Sequence, residues 1–380
     1  MIARAYIRGA GLTSFGRHEG KTTLDLMSAA ARAAMDDAGL ARADIDGVIC
    51  GYSTTLPHLM LSSVFCEHFG LAPHYAHSVQ LGGATGLAMT ALASHLVAGG
   101  VAKNILVVAG ENRATGQSRD ASVQALAQVG RADYEVPLGA TIPAYYALVA
   151  ARYMRDHGIG EADLAEFAVL MRAHAGRHSG AHLSAPITVA DVLASKPIAS
   201  PLKLLDCCPV SDGGAAVVVS AEPGAQAVRI RGTGQAHQHQ HVSAIASFDD
   251  LGAAASAAHA FAAAGVSRGD VTHAGVYDSF TATLAILLEE IGFAGRGEAC
   301  GMARAGHFSR DGALPLNTHG GLLSYGHCGV GGAMAHLVET WLQCAGRAGP
   351  RQAADPSLGF VHADGGVMSA HVSLVMERVR

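Results

Sequence analysis

Apolar residues recur along this chain in alternating short and long runs. AYIRGAGLTSFG at 5–16 is a short β-branched and aromatic stretch closed by glycine and serine, the pattern of a strand entering a turn. LDLMSAAARAAMDDAG at 24–39 has helical spacing; Thr22 with Asp25 predicts a capping box at its start and Gly39 its stop. IDGVICGYS at 45–53 predicts a second strand. After a mixed region, VQLGGATGLAMTALASHLVAGG at 79–100 predicts a glycine turn feeding an Ala/Leu/Met-rich helix, and NILVVAGEN at 104–112 a buried strand. This alternation of strand and helix predicts an α/β layered fold.

The same order returns later. VRIRGTGQA at 228–236 echoes YIRGAGL at 6–12, and AHAFAAAGVSRGDVTHAGVYDSF at 258–280 echoes the first helix and second strand, with Gly265 and Asp270 opposite Gly39 and Asp44. GGAAVVVSAEP at 213–223 is answered by AHVSLVMERV at 370–379. Two similar halves are predicted, 1–223 and 224–380, the first lengthened by an inserted segment at about 112–200. Within the insertion, YYALVAARYM and LAEFAVLMRAH have helical spacing, with Leu164, Phe167, Ala168 and Met171 on one face. Such a segment lies over one end of the sheets, either as a binding loop or as a surface helical cap.

The counterpart of the first glycine turn is NTHGGLLSYGHCGVGG at 317–332, with six glycines in sixteen residues. That density predicts a shaped loop rather than a regular element. Met334, Leu337, Val338, Trp341 and Leu342 then mark a helix with one buried face. The loop therefore sits at a helix N-terminus, where free N–H groups favour an anion or a developing oxyanion. Asn317, His319, Tyr325 and His327 within it can donate hydrogen bonds or move protons.

Composition narrows the setting. At 50% hydrophobic and 15% charged over 380 residues, the chain can bury a large core. A formal charge of −5 without long runs points away from nucleic acid and anionic membranes. No apolar run reaches the roughly 20 residues of a spanning helix. The opening residues read as strand and turn rather than signal peptide, so a cytoplasmic protein is expected. Seven cysteines with no C-x-x-C pair predict reduced, buried thiols and no metal site.

The duplicated halves, GGATG entering a helix at 82–86, LLDCCPVSDGGAAVVV at 204–219 and GGLLSYGHCGVGG at 320–332 together resemble the thiolase superfamily. The similarity is to its lipid-transfer-protein or sterol-carrier type and spans essentially the whole chain. It implies a thiolase fold: two five-stranded sheets sandwiching helices in an α/β/α/β/α layering, a dimer, and binding of CoA thioesters. The family's nucleophilic cysteine falls at Gly83 here, and its second cysteine is absent from HADGGVMSAH at 362–371. Without a nucleophile no acyl-enzyme forms.

His327 matches the family's oxyanion-binding histidine, and Tyr277-Asp278-Ser279-Phe280 replaces a second active-site motif. This combination resembles the aldolase subunit of bacterial steroid side-chain degradation. The implied reaction is retro-aldol cleavage of a β-hydroxyacyl-CoA to a ketone or aldehyde and a shorter acyl-CoA. The resemblance assigns His327 to the oxyanion, Tyr277 and Tyr325 to the base and acid in either order, and Asp278, Asn317 and His319 to support. It implies no tightly bound cofactor, CoA as part of the substrate, and a small OB-fold/zinc-ribbon partner as a separate chain. Two rivals stand beside it: a non-catalytic acyl-CoA- or lipid-binding or scaffold subunit, and an acyltransferase using Cys328 or a borrowed thiol.

Overall fold

The AYIRGAGL run forms strand β1 (Ala5–Leu12) in the computed structural model, which describes residues 4–226 and 228–379. The first three residues of the strand-and-turn reading therefore lie outside the described residues, as do positions 227 and 380 within the predicted second half. The first half continues with α1 (Thr23–Ala38), β2 (Gly47–Gly51), α2 (Leu61–Phe69), β3 (Tyr75–Val79), α3 (Thr85–Ala98) and β4 (Asn104–Asn112). Thr22 and Asp25 form the capping box, and Gly39 ends α1 at φ 64°. The long connection from β4 carries α4 (Arg119–Ala127), α5 (Ile142–His157), α6 (Glu161–Ala175), α7 (Val189–Ala194) and a short hairpin, β5 (Pro197–Ala199) with β6 (Leu202–Lys203). It returns to the sheet as β7 (Asp212–Ser220).

The second half runs β8 (Val228–His237), α8 (Ala253–Ala264), β9 (His273–Val276), α9 (Thr281–Ile291), α10 (Ala299–Arg304), α11 (Val330–Cys344), β10 (Leu358–Gly365) and β11 (Ala370–Arg378). Strand order within the halves is β3-β2-β4-β7-β1 and β8-β11-β10-β9. Ala5–Ile7 of β1 pair antiparallel with Val228–Ile230 of β8, so the two sheets meet edge to edge as one nine-stranded sheet. The fifth strand of the second half is reduced to a parallel bridge between Leu316 and Ala274.

Helices α1 and α2 cover one sheet's outer face, α8 covers the other's, and α3 and α11 pack together between the halves. The echo between YIRGAGL and RIRGTGQ has a packing cause. A Cβ at Gly11 would lie 2.6 Å from the Ala34 backbone nitrogen in α1, and one at Gly234 would lie 2.6 Å from that of Ala260 in α8. Only glycine lets each helix lie that close to its sheet.

Helix α11 differs from the one-faced helix that its spacing predicts: nearly every residue is buried, because both halves pack on it. It also begins earlier than the apolar pattern, at Val330, since Gly331 and Gly332 join the helix where side chains would strike Cys328 and Leu322. β3 was hidden in sequence because it is five residues long and largely exposed, without an alternating apolar face. Among the described residues no helix is long and apolar enough to cross a membrane.

Candidate active site

The glycine-rich stretch from 317 is built onto the end of β9. Asn317, at φ 45°, uses its side-chain amide like a strand neighbour: Oδ1 accepts the Val276 N–H at 2.8 Å and Nδ2 donates to the Val276 carbonyl at 2.7 Å. Gly321–Tyr325 then form a single π-helical turn, a feature that often marks functional sites. Its start is held by Asp278, whose carboxylate accepts the Leu322 N–H at 2.7 Å and lies 3.2 Å from His336 Nε2. Burial raises the Asp278 pKa, and His336 and the loop N–H groups oppose that rise. A Cβ at Gly321 would collide with this carboxylate. Asn317 and Asp278 thus shape the loop and are not part of the cavity lining into which it delivers His327.

The loop delivers His327 to a cavity of about 210 Å³ that Gly82, Gly83, Tyr52, Tyr146, Cys208, Tyr277 and His327 help to line. His327 Nε2 lies 3.0 Å from the Tyr277 hydroxyl, and its Nδ1 accepts the Gly329 N–H at 3.1 Å. Enclosure and nearby Arg113 push the His327 pKa down to about 3, so the ring is neutral. With Nδ1 accepting, the single ring proton resides on Nε2, which donates toward Tyr277. The tyrosine's own proton is left free to point into the cavity. Burial, with Asp364 and Cys208 nearby, raises the Tyr277 pKa well above the ordinary value, so that proton is retained at neutral pH.

Gly83 stands just before α3, at the N-terminus of that buried helix. A Cβ there would strike the Tyr277 hydroxyl and sit 2.5 Å from the Asp364 carbonyl oxygen and 2.7 Å from Tyr277 Cζ. The tyrosine therefore fills the space a side chain at 83 would need. The remaining wall comes from the insertion and from β4. Tyr146 of α5 donates to Asp364 Oδ2 at 2.8 Å and packs on Phe280, 4.6 Å between centroids. Arg113 and Glu111 form a buried ion pair at 3.7 Å, with Glu111 also accepting from Thr54.

Tyr325 is placed elsewhere. Its hydroxyl donates to the Thr13 carbonyl at 2.9 Å, and its ring packs on Phe15 and His178 at 4.6 and 4.7 Å, away from the cavity lining. His319 is fully buried behind it, 4.9 Å from the His336 ring, and burial lowers its pKa well below the usual range. Cys328 belongs to the same cluster as Tyr325, with its thiol pKa raised by burial. All seven cysteines are free; Cys207 and Cys208 are half-buried rather than buried as the sequence suggests, because both line the cavity. Among the described residues no group of His, Cys, Asp and Glu is arranged to hold a metal.

Sequence reasoning passed over Tyr146, Asp364, Arg113 and Glu111. Three of them left a signal: Glu111 and Arg113 as a charged pair closing the apolar strand NILVVAG, and Asp364 as an aspartate inside the strand ending HADGG. Tyr146 left none, since its spacing is that of a covering helix.

Residues 5–223 match the family described as "Thiolase, N-terminal domain", and 234–378 match "Thiolase C-terminal domain-like". An acetyl-CoA acetyltransferase of Methanothermobacter thermautotrophicus is 29% identical, with 96% of this chain and 97% of that one covered. The steroid side-chain-cleaving aldolase of Thermomonospora curvata is 32% identical over 84% of this chain and 85% of its own. A solved structure named "Ltp2-ChsH2(DUF35) aldolase" superposes with a TM-score of 0.86 at 29% identity, covering 100% of this chain and 98% of that one.

Proposed function

The chain belongs to the thiolase family, and from that premise we propose that it is an acyl-CoA aldolase, cleaving the Cα–Cβ bond of a β-hydroxyacyl-CoA by retro-aldol chemistry. Products are a ketone or aldehyde and a shorter acyl-CoA. The observation that carries this reading is the Tyr277 hydroxyl, which occupies the room above Gly83 and receives the His327 Nε2 proton. A thiolase site without a nucleophile but with two aligned donors suits a reaction that makes and quenches an enolate.

In this reading the entering thioester oxygen takes the His327 Nε2–H over from the Tyr277 hydroxyl, and that donor stabilises the enolate by about 3–4 kcal/mol, typical of one preorganised donor. Tyr277 donates its retained proton to Cα as the enolate collapses, worth about 10²- to 10⁴-fold. Asn317 and Asp278 hold the loop that carries His327. His319 and Tyr325 pack behind it. CoA enters as part of the substrate, and the acyl group is of the steroid side-chain type that the aldolase relative's name indicates.

The acyltransferase alternative finds little support in the thiols. Cys328 packs away from the cavity, and burial holds the cavity-lining Cys208 thiol protonated. A purely binding subunit would not require Tyr277 and His327 to be paired at 3.0 Å.

We also propose a complex with a DUF35 partner of the OB-fold and zinc-ribbon type. The aldolase structure that this chain resembles carries DUF35 in its name, and Tyr134, Val136, Leu138 and Leu148 of the inserted segment expose apolar surface that such a chain could cover. A homodimer core is supported by β3, an edge strand beside the exposed Leu59 and Met60. Seven free cysteines fit a reducing cytoplasm.

The test incubates the chain and its co-purified partner with branched β-hydroxyacyl-CoAs, including a steroid thioester, under mass spectrometry. Carbonyl product and shortened acyl-CoA, both reduced at least about 100-fold in Tyr277→Phe, are expected. Tight thioester binding with no carbonyl product would favour the scaffold reading.

A further inference from the structure

The retro-aldol step also needs a base for the β-hydroxyl proton, and Tyr277 and His327 are both set as donors. We propose that Tyr146 is that base, passing its own hydroxyl proton to Asp364; this rests on the retro-aldol reading and assigns its remaining proton transfer. Tyr146 lines the cavity together with Tyr277, whereas Asp364, in β10, lies behind it and is not part of this cavity's lining. The Tyr146 hydroxyl donates to Asp364 Oδ2 at 2.8 Å, with the Gly366 carbonyl at 3.1 Å as a further acceptor.

With its proton turned back toward the carboxylate, the tyrosine presents oxygen lone pairs to the cavity. Asp364 itself is under-satisfied. Oδ2 also accepts the Met368 N–H at 3.2 Å, but Oδ1 has no partner among the described residues and the residue is 1% exposed. A buried carboxylate so poorly paired takes up a proton readily. The titratable and charged groups facing the pair are Tyr277 at the end of β9, with Cys208, Tyr52, Glu111 and Arg113 further along the wall. Among the described residues no cation pairs with Asp364, and burial raises its pKa to about 7. It is therefore poised to accept a proton near neutrality, the range in which general bases work best.

The protons and electrons balance. As the β-hydroxyl proton moves to Tyr146 Oη, the Tyr146 proton moves to Asp364 Oδ2. The alkoxide pair becomes the carbonyl bond, and the Cα–Cβ pair becomes the thioester enolate. Tyr277 then protonates Cα. The proton gained by Asp364 returns through Tyr146 to Tyr277, leaving the enzyme unchanged.

The experiment measures kcat/KM against pH for the partner-bound enzyme and for Tyr146→Phe and Asp364→Asn, with circular dichroism of each. Asparagine still accepts the Tyr146 hydroxyl, so Asp364→Asn preserves the hydrogen bond while removing the proton sink. Wild type should gain activity as pH rises through about 7, where Asp364 ionises. Asp364→Asn should lose that limb and fall about 10²- to 10⁴-fold, with Tyr146→Phe falling similarly. Cleavage by wild type with Tyr146→Phe within twofold of it, or an acid limb that persists in Asp364→Asn, overturns the relay alone. If wild type releases no carbonyl product, the retro-aldol reading fails and the relay with it. A merely structural Asp364 would lower folded fraction and rate together but leave the pH profile of the surviving activity intact.

Discussion

Adding one methyl group at Gly83 isolates the role of the Tyr277 hydroxyl. Gly83 has no left-handed backbone angle, so Gly83→Ala perturbs packing rather than the main chain. The new Cβ would lie 2.5 Å from the Asp364 carbonyl oxygen, against an ordinary contact of 3.4 Å or more, and would press on the Tyr277 hydroxyl. Something must move by roughly 1 Å on two sides at once: the Tyr277 ring, and the main chain of β10 or of the Gly83 turn, since a shift of the tyrosine leaves the carbonyl contact in place. Overpacking of this kind costs about 1–3 kcal/mol. Displacing the hydroxyl also lengthens its 3.0 Å contact with His327 Nε2 and misaims the proton it donates. A misplacement of that size lowers turnover about 10²-fold.

Urea unfolding and single-turnover cleavage of the partner-bound enzyme measure both effects. The double variant Gly83→Ala/Tyr277→Phe provides the control: because both changes act on one hydroxyl, its rate should match Tyr277→Phe alone within about threefold. A Gly83→Ala enzyme with wild-type stability and wild-type turnover would refute the reasoning, since the cavity would then tolerate the tyrosine in either place.

Three further outcomes follow from the geometry. Tyr325→Phe strands the Thr13 carbonyl and should cost about 0.5–1.5 kcal/mol in urea unfolding, while cleavage by the folded enzyme stays within about threefold of wild type. Asp278→Ala frees the Leu322 N–H and removes the neighbour of His336; a stability loss of about 1–3 kcal/mol and a broadened His327 resonance are expected, whereas Asp278→Asn should retain most of the stability. Acid should destabilise the fold. His174, His273, His319, His362 and His371 are buried with pKa values pushed down, to about 4 for His174, His273 and His371. The unfolded chain binds those protons first, so stability is full above the unfolded histidine range near 6.5 and is lost as pH falls toward 4, by about 1.4 kcal/mol per unit for each group. Asp364 and Glu290, raised to about 7, oppose this because they are protonated more readily when folded. The lowered histidines, His178, His182, His239 and His327 among them, outnumber the raised carboxylates, Glu111, Asp206 and Asp278 among them, so equilibrium urea midpoints at pH 5.5 should fall below those at pH 7.

Much of the architecture was legible in the chain itself. Local spacing located β1, α1, α3 and β4, and the repeated glycines Gly11 and Gly234 each mark a strand on which a helix lies close. The absence of a nucleophile at Gly83 was equally plain, since one residue type decides it. So were Tyr277 and His327, which stand in short motifs whose backbones turn them toward a common point.

What the sequence could not state was which distant groups share that point. Tyr325 lies two residues from His327, yet the π-helical turn and Gly326 carry it to the opposite side, where Thr13 and Phe15 receive it. Tyr146 is 131 positions before Tyr277 and reads as part of a covering helix, yet α5 brings it to the same cavity wall. Asp364 looked like one polar residue in an apolar strand until β10 placed it behind that tyrosine. Local pattern depends on neighbours a few residues away and so survives in the sequence. The meeting of Tyr146, Tyr277 and His327 depends on how two sheets, two central helices and an inserted segment pack, and that was decided only when the whole chain folded.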